Sequence, residues 1–346
     1  MQSARRDVAL VMAVASAALA ALTACAAATG TDAPVAPAGI ACVSAVPGCL
    51  ERVTIGNGLR IPVYRTHAFA AGTGAVSHAV IVVHGIDRDA DAYFNTMVQA
   101  LRTAGVLDST IVVAPHFQTL DDAPLADEPY WSSEGWKRGD LSDAASPLAR
   151  TSSFAVIDTL LRALGDRARF PRIRTIVLTG HSAGAQLTHR YAAASPLAES
   201  LGVPVRFIVA NPSSYLYLRS ERPSATAFAA PDSAACPGWD DWPYGLRNRN
   251  SYAKAADDAT LRTRLITRDV RVLVGDADTL TANLDVSCEG NLEGNRRYDR
   301  GRALVWFLTQ FYPSHHHRES VVPGIGHSSG GMYGSAAGQA ALTLWP

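Results

Sequence analysis

The chain has 346 residues, 48% of them hydrophobic, and its charged side chains cancel to a net charge of +0. That composition supports one large domain with a full core. It excludes the basic patch that a nucleic-acid partner needs and an acidic interaction tail, so no nucleic-acid partner is expected.

The N-terminus carries Arg5 and Arg6, an apolar run over 8–22, and then Leu22-Thr23-Ala24-Cys25. A positive start followed by a short apolar segment is the pattern of an export signal, and the run is too short for a confident membrane span. The tetrapeptide matches a bacterial lipobox. Residues 1–24 are therefore expected to be a lipoprotein-type signal peptide, with Cys25 the lipidated first mature residue and a tether to a membrane on the periplasmic or cell-surface side. Residues 25–40, rich in Ala, Thr and Pro, read as a flexible stalk, and 41–346 as the single folded domain. Beyond Cys25 the chain has Cys42, Cys49, Cys236 and Cys288, which allow three pairings. In an oxidising compartment, Cys42–Cys49 with Cys236–Cys288 is the expected set. No Cys or His spacing of the zinc kind occurs, and no metal is expected.

Apolar runs at 79–83, 109–114, 173–179, 203–210, 270–274 and 319–322 read as strands. They alternate with helical patterns at 93–101, 154–168, 186–192, 295–312 and 332–344. This order predicts the α/β class, with a mostly parallel central sheet and helices on both faces. Two long stretches interrupt it, 117–147 and 212–254. They are too aromatic for disorder, and long loops in a compact domain are usually functional. Tyr130, Trp131, Trp136, Trp239 and Trp242 are the candidates for an apolar substrate cleft, with core packing as the other reading.

Between the strand at 173–179 and the helix at 186–192 stands Gly180-His181-Ser182-Ala183-Gly184. G-x-S-x-G in that context is the pattern of a nucleophile elbow. The turn must lift a serine hydroxyl clear of the sheet in a strained conformation, and the close approach of the flanking backbone leaves no room for side chains two residues either side. The following helix aims free N–H groups at the same point. An acid and a base are then expected after later strands. Gly275-Asp276-Ala277-Asp278 follows the strand at 270–274, and Asp278 is the first choice for the acid, since its spacing carries the carboxylate into the loop. Asp276 is the rival, with a turn or cap role as its bland reading, and Asp285 comes third. Gly326-His327, after the strand at 319–322, supplies the base. The run His315-His316-His317 reads as a solvated loop. The backbone N–H groups of Ile86 and Ala183 are the expected oxyanion donors, with His84 bracing the first loop. Asp87, Arg88 and Asp91 read as a structural ion-pair set, with substrate contact as the other reading.

Together, His84-Gly85, the Gly180–Gly184 pentapeptide, Gly275 with Asp278, and Gly326-His327 resemble the α/β-hydrolase superfamily, of the secreted serine esterase or lipase type, from about residue 61 to the C-terminus. The Gly-Gly-Gly of the hormone-sensitive-lipase oxyanion loop does not follow His84. The resemblance implies an α/β-hydrolase fold with a small loop-rich insertion after the sixth strand, approximately 212–267. It further implies two-step acyl transfer by Ser182, Asp278 and His327 on a small-molecule or polymeric ester, without a cofactor. A peptidase or amidase on the same fold, and a non-catalytic anchored binding protein, are the competing readings.

Overall fold

The computed structural model describes residues 42–146 and 149–343. The expected signal peptide, stalk and lipidated Cys25 lie outside the described residues. Ten strands run in chain order: β1 Leu50–Gly56, β2 Leu59–Arg65, β3 His78–Val83, β4 Thr110–Pro115, β5 Thr175–His181, β6 Val205–Ala210, β7 Arg222–Pro223, β8 Phe228–Ala229, β9 Asp269–Gly275 and β10 Arg318–Val322. The helices are α1 Ala90–Thr103, α2 Ser153–Gly165, α3 Ala183–Ala194, α4 Asp258–Thr267, α5 Cys288–Asn291, α6 Arg297–Phe311, α7 Ser329–Gly334 and α8 Ala336–Thr343.

Eight strands form one sheet in the order β1-β2-β4-β3-β5-β6-β9-β10. From β4 to β10 every pairing is parallel, and β1 and β2 are antiparallel additions at one edge. The central strands β4 and β5 are buried at every position. That is why they read as continuous apolar runs rather than alternating ones: helices cover both faces of the sheet. Strand β1 sits at the edge and alternates between half-buried and exposed positions.

The β1–β2 hairpin is absent from the periodicity reading. Its strands carry Arg, Glu, Thr and Pro, so no apolar run marks them. The available signal was Asn57-Gly58, both at positive φ, the residue pair favoured in a two-residue hairpin turn. The expected helix over 332–344 is two helices broken at Ser335. The Ser335 hydroxyl accepts from the Gly338 N–H at 3.0 Å, an N-cap that starts α8 anew.

Two disulfides are present, Cys42–Cys49 and Cys236–Cys288, the expected pairs. The second joins the insertion between β6 and β9 to the start of α5. The insertion itself is partly core, since Tyr215, Leu216, Tyr217 and Leu218 are all fully buried. Among the described residues, no helix is long and apolar enough to cross a membrane.

Candidate active site

Ser182 sits between β5 and α3 at φ 57° and ψ −120°, outside the regions an L-residue prefers. Two glycines permit the turn. A methyl group on Gly180 would overlap the Gly184 carbonyl, and one on Gly184 would overlap the carbonyl oxygens of Val83 and His84 at the end of β3. The elbow is thus pressed against the neighbouring strand as well as folded on itself. Ser182 occupies the N-cap of α3, so the free N–H groups of the first turn lie beside its side chain.

Asp278 and His327 come from the loops after β9 and β10, the two strands beyond β6 in the sheet. The loops after β9 and β10 are tied together: Ala277 N–H donates to Ile325 O at 3.2 Å, and Gly324 N–H donates to the Asp276 carboxylate at 2.7 Å. Asp276 therefore holds the loop, and Asp278 is the acid that faces the histidine. His327 Nδ1 lies 2.7 Å from Asp278 Oδ2, and its Nε2 lies 3.0 Å from Ser182 Oγ. Asp285 stands apart from this line, accepting from the Tyr244 hydroxyl at 2.6 Å.

Three supporting residues escaped the sequence reading. Asn211, at φ 45° directly after β6, accepts the Gly275 N–H at 2.8 Å and donates to Gly326 O at 3.4 Å. One side chain thereby fixes both loops that carry Asp278 and His327. An asparagine, which tolerates the left-handed region better than most residues, just past a central strand was the local hint. Arg297, on α6, places its guanidinium 3.5 Å from Asp278, with both side chains sealed from solvent. Tyr93, on α1, bonds His181 Nδ1 at 3.0 Å, and the His181 ring lies 4.5 Å from that of His327. Burial holds His181 well below the ordinary imidazole range, so it stays neutral beside His327.

His84 braces the first loop. Its Nδ1–H donates to Gly85 O at 2.9 Å and its Nε2 accepts the Phe117 N–H at 3.0 Å. Burial drives its pKa down to about 3, consistent with this neutral tautomer. Arg88 pairs with Asp122 at 2.6 Å, a structural ion pair with a partner other than Asp87 or Asp91.

Two cavities meet at Ser182. The larger, about 450 Å³, is bounded by Ile86, Ala183, Gln186, Lys137, Arg138 and Asp285 among others. The smaller, about 250 Å³, lies on the His327 side and includes Asp87, Asp89 and Ser328. Ile86 and Ala183, the expected oxyanion donors, both line the larger cavity together with Ser182.

The expected aromatic cleft is a different structure. None of Tyr130, Trp131, Trp136, Trp239 or Trp242 lines either cavity. Trp131 and Trp136 are 1% and 0% exposed, in the main core, and Tyr130 is buried with them. Trp239 Nε1 donates to Ser220 O at 2.9 Å and Trp242 Nε1 to Arg138 O at 2.8 Å. These rings anchor the long loops, and the chain neighbours of Trp136, Lys137 and Arg138, face the cavity. The physical reason is that a loop of this length needs its own apolar anchors to hold one conformation.

No protein-family model and no curated protein matches the sequence. Solved structures do. The structure is similar to that of poly(aspartic acid) hydrolase-1 from Sphingomonas sp. KT-1, at 22% identity and TM-score 0.58, over 85% of this chain and 97% of the other. It is also similar to a poly(3-hydroxybutyrate) depolymerase from Bordetella parapertussis, at 22% identity and TM-score 0.59, over 86% and 89%. The chain has the α/β-hydrolase fold. In an α/β-hydrolase fold, ligands bind at the carboxyl ends of the sheet strands, and Ser182, Asp278 and His327 follow the carboxyl ends of β5, β9 and β10.

Proposed function

We propose that the protein is an exported serine hydrolase that cleaves carboxylic esters through an acyl-enzyme. The observation that carries this reading is the pair of contacts made by His327, 2.7 Å to Asp278 and 3.0 Å to Ser182. In the first step His327 Nε2 takes the Ser182 proton as Oγ attacks the ester carbonyl. The oxyanion is held by the Ile86 and Ala183 N–H groups, each worth about 3 kcal/mol. His327 then gives that proton to the departing alcohol as the carbon–oxygen bond breaks. Water repeats the sequence on the acyl-enzyme, releasing the acid and restoring Ser182. Asp278 holds the imidazole in the productive tautomer and stabilises its charged form. No metal or organic cofactor enters these steps.

Of the two solved structures with this fold, one is named for a polyester and the other for poly(aspartic acid), a polyamide, so polymeric esters and amides belong beside small esters in the first substrate panel. The two disulfides support export to an oxidising compartment, and a lipid on Cys25 would add a membrane tether. Hydrolysis of short p-nitrophenyl esters and labelling by a fluorophosphonate test the mechanism. Ser182→Ala is expected to lower kcat at least about a thousandfold and to abolish labelling. Unchanged turnover in Ser182→Ala would falsify it.

A further inference from the structure

The two cavities that meet at Ser182 carry opposite charge, and this bears on the substrate. In the mechanism proposed above, His327 protonates the leaving alcohol, so the alcohol part lies on the His327 side, in the 250 Å³ cavity. The acyl part then occupies the 450 Å³ cavity.

The wall of the acyl cavity carries two cations, Lys137 and Arg138, and two carboxylates, Glu134 and Asp285, so its excess of positive charge comes from the layer behind it. Glu134 is shared between Lys137, at 2.6 Å, and Arg138, at 2.7 Å, so one carboxylate faces two cations. Arg138 Nε is buried without a hydrogen-bond partner. Behind the wall stand two further guanidinium groups. Arg190 is 1% exposed and bonds neutral acceptors: Lys137 O, Pro243 O, Gln186 Oε1 and Ser214 Oγ. Arg300, equally buried, bonds Ser213 O, Gly294 O and Asn291 Oδ1. The carboxylates on this side are Glu134, Asp285 and, deeper, Glu293. Even with all three ionised, the four cations leave an excess of positive charge. A buried cation held only by neutral acceptors is costly, and it projects a positive potential into a cavity that excludes part of the solvent.

The alcohol side has the reverse sign. Asp87 and Asp89 line it, with Asp91 close enough to Asp89 to act on its ionisation. The one arginine in that stretch, Arg88, is engaged by Asp122.

We infer that the substrate is an ester whose acyl part carries a carboxylate, and whose alcohol part carries no negative charge. Lys137 and Arg138 at the rim of the larger cavity receive that carboxylate, with Arg190 and Arg300 supplying the background potential. This rests on the ester-hydrolase reading and narrows it.

The test compares kcat/KM for monoethyl adipate and ethyl hexanoate, which differ by a carboxylate in place of the terminal methyl. A second pair moves the charge: the hexanoate ester of 4-hydroxybutyrate against butyl hexanoate. The expected result is a preference of about tenfold or more for monoethyl adipate at low ionic strength, shrinking in 0.5 M salt as screening shortens to a few ångströms. No gain is expected for the charge on the alcohol side. Lys137→Met and Arg138→Gln, measured separately, should each reduce the adipate preference about threefold or more. Both variants should remain labelled at Ser182 by the fluorophosphonate. An adipate-to-hexanoate ratio at or below one, in protein whose Ser182 is labelled and which hydrolyses esters, overturns the charge assignment and leaves the hydrolase reading standing. Absence of labelling and of all ester turnover overturns the hydrolase reading itself.

Discussion

Arg297 meets Asp278 at 3.5 Å, both side chains closed off from solvent, on the side of the carboxylate away from His327. The same guanidinium donates to Leu280 O at 3.4 Å and Ala282 O at 2.9 Å, so it fastens the loop that follows the acid. Removing one partner of a buried pair leaves the other charge uncompensated, a loss of about 3–5 kcal/mol. Arg297→Met is expected to lower unfolding stability by that amount in urea titrations. It should also reduce kcat more than it raises KM, because the loop presenting Asp278 loosens. A variant with wild-type stability and wild-type kcat would show that the pair does neither job.

The elbow predicts its own intolerance. In Gly180→Ala the new methyl must displace the Gly184 backbone, and in Gly184→Ala it must push β3 away. Overpacking of this kind costs about 1–3 kcal/mol, and displacing a nucleophile by about 1 Å costs on the order of a hundredfold in rate. Each substitution should therefore depress kcat by about a hundredfold or more in protein that still folds by circular dichroism. Near-normal turnover in either variant would show that the glycines are dispensable.

Glu293 makes stability depend on pH. It is fully buried, its Oε2 accepting the Tyr215 N–H at 2.8 Å, and burial pushes its pKa up from the ordinary 4.5 to about 8. A group whose folded pKa is raised stabilises fully below its unfolded value and loses that contribution as pH rises through the folded one. Stability should thus decline by a few kcal/mol between about pH 4.5 and pH 8 on account of this residue. The amide of Glu293→Gln keeps the acceptor without the titration. Its melting temperature, compared with wild type across that range, should gain on wild type towards pH 8. Parallel curves for the two proteins would rule the residue out.

Acid acts through the histidines. Burial lowers His84 and His189 to about 3 and pulls His181 and His317 well down, His317 being buried where its run of histidines read as a solvated loop. A histidine whose folded pKa is depressed contributes stability that is present above about 6.5 and is lost as pH falls through the folded value. Unfolding below pH 6.5 should take up more than one proton, read as the slope of stability against pH. His189→Gln should flatten that slope, and an unchanged slope in the variant would exclude His189 as a contributor.

Cys236–Cys288 staples a chain separation of 52 residues, and Cys288 directly follows Asp285, Val286 and Ser287 on the wall of the larger cavity. Closing a loop of that length contributes about 4 kcal/mol in the chain-entropy account. The double variant Cys236→Ser, Cys288→Ser should lose stability of that order and show a raised KM with a smaller change in kcat. An unaltered KM would mean that the wall keeps its shape without the bridge.

The strands β3 to β6 were legible because burial on both faces forces an unbroken apolar run, a signal read one residue at a time. The β1–β2 hairpin was not, because an edge ribbon with a solvated face has no such run, and only Asn57-Gly58 announced it. Ser182 stood out for a similarly local reason: the turn forbids side chains at Gly180 and Gly184. Asp278 and His327 were nominated from their places after strands, and the structure brings both to Ser182. Arg297, Asn211 and Tyr93 had no comparable mark, since each acts across elements that lie far apart in the chain. The aromatic residues misled, because apolar character alone does not say whether a loop ring faces a cavity or anchors the loop beneath it.

By itself the sequence determined the class of fold and the elbow, since strand periodicity and steric exclusion are properties of neighbouring residues, while it left three cysteine pairings open. Only the tertiary structure decided that Trp136 turns into the core while Lys137 and Arg138 face the cavity, and that two arginines stand behind its wall. Charge around a site is a sum over side chains from many segments, and that sum exists only once the sheet order and the loop packing have brought the segments together.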